Sequence, residues 1–212
     1  MHTKTSQILF DYWNLVRGGR IAPQRIEIDP SALSKILSQT MILEVADTNS
    51  MVFRIAGTGI CEFLGQEMRG QDFLQLWPFT DQRKLKTALK KTLLVGSPLT
   101  LSTTSQTQHN TVLASEIVLL PLHDHEERPT RLLGCWSQRT DHSMLRMVNH
   151  HPIQNSITEL STEWPATHLV PTPIQQPVSP IEPAPTRFSN LGMRIVRREK
   201  RHFGVLDGGL SD

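Results

Sequence analysis

The sequence is short of cysteine, of net charge and of long apolar runs, and each shortage removes a class of protein. Two cysteines, Cys61 and Cys135, occur in 212 residues, each in an apolar context and without metal-ligand spacing. A disulfide framework is thereby excluded, and both thiols read as reduced core residues of a cytoplasmic protein. The 22 basic and 20 acidic residues leave a formal charge of +2, so no strong field over the whole molecule invites nucleic acid. No apolar run approaches the roughly 20 residues of a membrane span, and the start of the chain lacks the charged, apolar and small-residue succession of a secretory leader. Catalytic signatures are missing too. There is no Gly-x-Ser-x-Gly elbow and no phosphate-binding loop, and Gly57-Thr58-Gly59 lacks the third glycine of a dinucleotide fingerprint. The expectation is a protein without enzymatic activity.

Apolar periodicity orders what remains. Ile8, Leu9, Tyr12, Trp13 and Val16 recur at helical spacing, predicting an amphipathic helix from Thr5 to Arg17 stopped by Gly18 and Gly19. Asp29-Pro30 is an N-cap and first-turn pair, and Leu33, Ile36 and Leu37 predict a second short helix after it. Met41 to Asp47 and Met51 to Ala56 read as a strand hairpin. Short helical pieces follow at Thr58 to Leu64 and Phe73 to Trp77, the second closed by Pro78. A longer helix, about Asp81 to Leu94, carries Leu85, Ala88, Leu89 and Leu93 on one side and Arg83, Lys84, Lys86, Lys90 and Lys91 on the other. Leu99 to Gln108, Val112 to Leu122 and Arg131 to Gln138 read as three strands.

A strand hairpin, short helices, one longer helix and a three-strand antiparallel finish resemble a PAS domain over Met41 to about Arg139. The likeness extends to a bacterial PAS family, the fifth of the PAS families, which sets an N-terminal helix and an R-G-G-R-x-x-P turn before this core. Here that turn reads Arg17-Gly18-Gly19-Arg20-Ile21-Ala22-Pro23. Also similar are Tyr12-Trp13, Ile28-Asp29-Pro30, Phe53-Arg54-Ile55-Ala56-Gly57-Thr58 and Phe63-Leu64-Gly65-Gln66-Glu67-Met68-Arg69-Gly70. The resemblance implies an α+β fold in which a five-stranded antiparallel sheet is covered on one face by the helices. It implies sensing, dimerisation or partner docking as the function.

Four segments are expected: an N-terminal helical extension over 1–40, the PAS core over 41–141, a Pro-rich linker without fixed structure over 142–186, and a basic and apolar tail over 187–212. Prolines crowd between Pro165 and Pro185, where apolar periodicity also fails. In the tail, Met193, Ile195, Val196, Phe203, Val205 and Leu206 accompany Arg194, Arg197, Arg198, Lys200 and Arg201, which fits a docking motif on a tether.

If the helix-covered face encloses a pocket, its lining comes from Ile60, Phe63, Leu64, Phe73, Leu76, Trp77, Leu89, Leu119 and Trp136. The plainer reading of these residues is a filled core. Tyr12, Trp13 and Val16 either meet a second subunit or pack on the chain's own sheet. Light-driven flavin attachment in PAS domains uses a cysteine in a Gly-Asn-Cys context that Cys61 lacks, and haem ligation in the best-known cases uses a histidine on the long helix, which Asp81 to Leu94 does not contain. No cofactor is therefore expected.

His123-Asp124-His125, with His109 beside it if the strands pair as a hairpin, is the one dense set of metal-ligand residue types; an exposed polar turn is the plain reading. His150 and His151 belong to the linker. The leading expectation is a cytoplasmic, non-enzymatic sensory or regulatory protein that contacts a protein partner or itself and responds to a small apolar ligand. Its rivals are a ligand-free interaction or localisation adaptor, and a metal-dependent enzyme built on the His123 loop. The residues after the core read as linker and tail, so a signal is expected to leave through contacts with another protein.

Overall fold

The computed structural model describes residues 1–47, 50–107, 111–139 and 152–165. Helix α1 (Lys4–Arg17) starts where the Thr3 hydroxyl accepts from the Ser6 amide at 3.2 Å. It ends at Gly18 and Gly19, whose φ values of 57° and 86° lie where side chains other than glycine are strained. The arginines flanking these glycines close the last turn. Arg20 donates to the carbonyls of Arg17 and Val16 at 2.9 Å each, and Arg17 donates to the carbonyl of Arg20 at 2.7 Å. The R-G-G-R sequence is thus a helix stop, and the Pro23 carbonyl that follows it accepts from the His123 amide at 3.0 Å, tying the turn to the end of the sheet.

Asp29-Pro30 does start a helical turn, with the Asp29 carboxylate accepting from the Ser31 amide at 2.9 Å. The expected second short helix takes the form of two 3-10 turns, Pro30–Leu33 and Leu37–Gln39. Leu33 and Ile36 are buried here while Leu37 is exposed, and so narrow an apolar anchor does not sustain longer i to i+4 bonding.

The remaining elements are strands β1 (Thr40–Val45) and β2 (Met51–Ala56), helix α2 (Thr58–Leu64), a 3-10 turn at Phe73–Leu76, helix α3 (Phe79–Val95), and strands β3 (Leu99–Thr107), β4 (Val112–His123), β5 (Pro129–Gln138) and β6 (Pro152–Ser161). They build an antiparallel sheet in the order β2-β1-β5-β4-β3-β6. The α+β class follows the expectation, but the sheet has six strands. β6 lies inside the segment read as an unstructured linker, paired with β3 from Thr100↔Ser161 to Thr107↔Pro152. Its apolar signal is weak because its attachment is mainly backbone pairing: Ile157 and Leu160 are its partly buried apolar residues packed on the core.

Strand alternation sends side chains to two layers. Leu101, Ile117, Leu119, Trp136, Met41 and Leu43 face α2 and α3, whereas Ile42, Val118, Leu120, Leu122, Leu133 and Cys135 face α1 and the turns after it. Both faces of the sheet are therefore covered. On α3 the expected division holds: Leu85, Ala88, Leu89 and Leu93 are buried, and Arg83, Lys84, Lys90 and Lys91 are exposed with Lys86 half-buried. Among the described residues no helix is long and apolar enough to cross a membrane.

Candidate functional site

The nine residues expected to line a pocket come together in one cluster between the helices and the sheet, with Leu64 and Leu76 at its partly buried rim. Aromatic rings form its centre. Trp77 stacks on Trp136 with centroids 5.9 Å apart and planes 15° from parallel, Phe63 meets Trp136 at 5.6 Å, and Phe73 meets Trp77 at 5.8 Å and Phe53 at 5.7 Å. Such tilted, edge and offset contacts are the favourable ones for rings.

Polar atoms enter this layer without being matched. The indole N–H groups of Trp77 and Trp136 and the Ser115 hydroxyl are buried with no hydrogen-bond partner. On the same sheet face Thr103, Ser105 and Ser115 continue the inward positions of Leu101 and Ile117. β6 adds a residue that sequence reasoning missed. Asn155 is buried, accepts from the Ser105 hydroxyl at 2.7 Å and donates to the Leu76 carbonyl at 3.2 Å. Without a strand assignment for 152–161 no signal placed Asn155 here.

The other candidates are distributed around the molecule. Trp13 is fully buried, its indole donating to the Pro121 carbonyl at 2.8 Å, so it packs on the chain's own sheet. Tyr12 and Val16 are partly buried at the edge of the same cluster, and the Tyr12 hydroxyl accepts from the Asp29 amide at 2.7 Å. Cys61 belongs to the α2 side and Cys135 to the α1 side; burial pushes the Cys135 thiol up to about 12, which keeps it protonated. In the His123 loop, Asp124 accepts from the amides of Glu126 and Arg128 and from the Arg128 guanidinium, all at 2.8–2.9 Å. The hydrogen bond from the Arg128 backbone N–H is the main cause that draws this carboxyl down to about 2, and the loop is a self-satisfied turn. Among the described residues no three His, Cys, Asp or Glu side chains are grouped to hold a metal. His109, His150, His151 and the tail over 187–212 lie outside the described residues.

Beneath the start of α1 lies a second buried polar group. Glu116 of β4 is fully buried and accepts from the His2 amide at 2.7 Å and from the Thr3 amide and hydroxyl at 3.1 Å each. Burial alone would raise its pKa, but the hydrogen bonds from the Ser6 side chain and from Thr3 and His2 outweigh that and lower it. A carboxylate at the positive end of a helix also favours the dipole. Because the folded value is depressed below about 4.5, its stabilisation is complete above that pH and is lost as the pH falls through the folded value. Glu116→Gln is expected to destabilise by about 1–2 kcal/mol at neutral pH. Thermal unfolding of both proteins from pH 7 down to pH 3 checks this; a difference that does not shrink on acidification would contradict it.

A two-layered α+β sheet domain with an unmatched aromatic core is the class these features define. The chain belongs to the PAS_5 family, described as a PAS domain, whose model matches residues 1–137. PAS domains as a class serve sensing and signalling. No curated protein matches the chain. Similar solved structures include the PAS domain of a protein from Colwellia psychrerythraea (11% identity, 52% of this chain and 97% of that one, TM-score 0.41). The Rhodobacter sphaeroides LOV protein is similar at 13% identity, over 55% of this chain and 72% of that one, with a TM-score of 0.40. The dark structure of the Aureochrome1 LOV blue-light photoreceptor is similar at 16% identity, over 57% and 88%, with a TM-score of 0.41.

Proposed function

We propose that this protein is a non-enzymatic regulatory PAS module that acts through contacts with a protein partner, gated by a small, mostly apolar ligand carrying a hydrogen-bond acceptor. The observation that carries this reading is the pair of buried, unpartnered indole N–H groups of Trp77 and Trp136 in one aromatic layer. An unmatched buried donor costs about 1–3 kcal/mol, and a carbonyl or ether oxygen on a bound molecule would remove that cost while its apolar body packs on the rings. Neither flavin nor haem enters the proposal, since Cys61 lacks the photochemical context and α3 holds no histidine. Filling the layer would act by population shift, changing how the elements around it are held.

A second reading, a ligand-free docking module, draws on the ring contacts of 5.6–5.9 Å that close the same layer. The two are separated by adding the low-molecular-weight fraction of a cell extract to the purified chain while following its melting temperature and the indole N–H resonances. Gating predicts a rise of several degrees at saturation, movement of the Trp77 and Trp136 resonances, and roughly tenfold weaker binding in Trp136→Phe. Unmoved resonances and an unchanged melting temperature would leave the ligand-free reading.

A further inference from the structure

We propose that Phe10, Trp13, Arg17 and Trp164 form a latch coupling the docking of α1 to the retention of β6. β6 is an edge strand, hydrogen-bonded along one side to β3. Just past its end, at Ser161, the chain is held from both layers. The Thr162 hydroxyl accepts from Lys91 of α3 at 2.9 Å, and Trp164 lies against α1, with ring centroids 6.1 Å from Phe10 and 6.0 Å from Trp13.

The Arg17 guanidinium joins the two indoles, 4.8 Å from the Trp164 ring centre and 5.3 Å from that of Trp13, within the range of cation–π attraction. Arg17 is itself fixed, donating to the Asn14 side chain at 2.7 Å and to the Arg20 carbonyl at 2.7 Å. One arginine therefore closes the helix stop and clamps the segment after β6. Trp164 keeps 39% of its surface exposed, so it lies at the rim of this cluster, over Phe10 and Trp13.

The coupling reaches inward through β6. Asn155 carries the bonds to Ser105 and to the Leu76 carbonyl in the aromatic layer, and Ile157 donates its amide to Asp81 of α3 at 3.1 Å. Release of Trp164 would loosen a strand that holds both. The latch stands whether or not a ligand occupies that layer, so its test and the ligand test fail separately.

Hydrogen exchange on the full chain is the measurement. Trp164→Ala is expected to speed exchange of the amides of 153–160 and of α1 by about tenfold, with Trp164→Phe changing both by less than about threefold. Linkage demands the reciprocal effect. Glu116→Gln, which weakens α1 at its opposite end, should speed exchange in 153–160 as well as in α1. Loosening confined to one of the two elements in either variant, or exchange within about twofold of the parent in Trp164→Ala, would overturn the proposal.

Discussion

Trp13→Ala is expected to lower the unfolding free energy by about 3–5 kcal/mol and the melting temperature by roughly 6–20 °C. Three losses combine. The fully buried indole fills the space between α1 and the outer sheet face beside Leu120 and Leu122, and an alanine leaves most of that volume empty. The Pro121 carbonyl loses its donor; ladder pairing with β3 stops at Leu99↔Leu119, so among the described residues no strand on that side replaces it. Arg17 and Trp164 lose one face of their contact. Trp13→Phe separates these effects, keeping a ring but not the N–H, and should cost about 1–2 kcal/mol. Chemical denaturation of the three proteins decides the matter. An alanine variant that loses less than about 1 kcal/mol would mean that α1 is not anchored on its own sheet, and sedimentation would then show whether a second copy covers that face.

Periodicity made much of this fold legible. The apolar stripe of α1, the hairpin of β1 and β2, the divided face of α3 and the three following strands were readable because each buries one regular side. β6 was not, since a strand fixed by backbone bonds to β3 needs few apolar residues of its own. For the same reason Asn155 could not be placed in the aromatic layer. The nine residues named as candidate lining share one cluster because core-forming residues on neighbouring elements converge on one face. Their unmatched indole N–H groups were not readable, because hydrogen-bond satisfaction depends on three-dimensional neighbours. Glu116 shows the same limit: in Ala114-Ser115-Glu116-Ile117-Val118 it looks like a charge interrupting a strand, and its purpose appears only when His2 and Thr3 arrive from over a hundred residues away.

The two layers share strands, which bears on how a change in one would reach the other. β4 and β5 present Ile117, Leu119 and Trp136 to the aromatic side and Val118, Leu120 and Cys135 to the α1 side, with Ile117↔Trp136 and Val118↔Cys135 as adjacent pairs. A shift of Trp136 therefore acts on strands on which α1 rests. Packed cores respond to such shifts as units because there is little free volume to absorb them.

Gly57→Ala is the second large effect expected, about 3 kcal/mol of destabilisation, at the upper end for overpacking, with a fall of roughly 6–12 °C in melting temperature. Backbone strain is not the reason, since Gly57 has φ −68° and ψ 152°, which alanine adopts freely. Space is the reason. A Cβ there would stand 2.3 Å from the Ser38 carbonyl oxygen and 2.5 Å from that of Leu37, both backbone atoms of the 3-10 turn leading into β1. Relief requires α2 to move off that turn, which stretches the 2.8 Å bond from the Gly57 amide to the Thr40 carbonyl and shifts Ile60 and Phe63 in the aromatic layer. Gly19→Ala is the contrasting case: nothing lies within 4 Å, but φ is +86°, so it should cost about 1 kcal/mol from conformation alone. Gly59→Ala, with its nearest atom at 3.0 Å, should be milder than Gly57→Ala. Thermal melts of the three variants test the ranking. If Gly57→Ala proved no worse than Gly59→Ala, the turn before β1 would yield easily, and α2 would not be pinned against it.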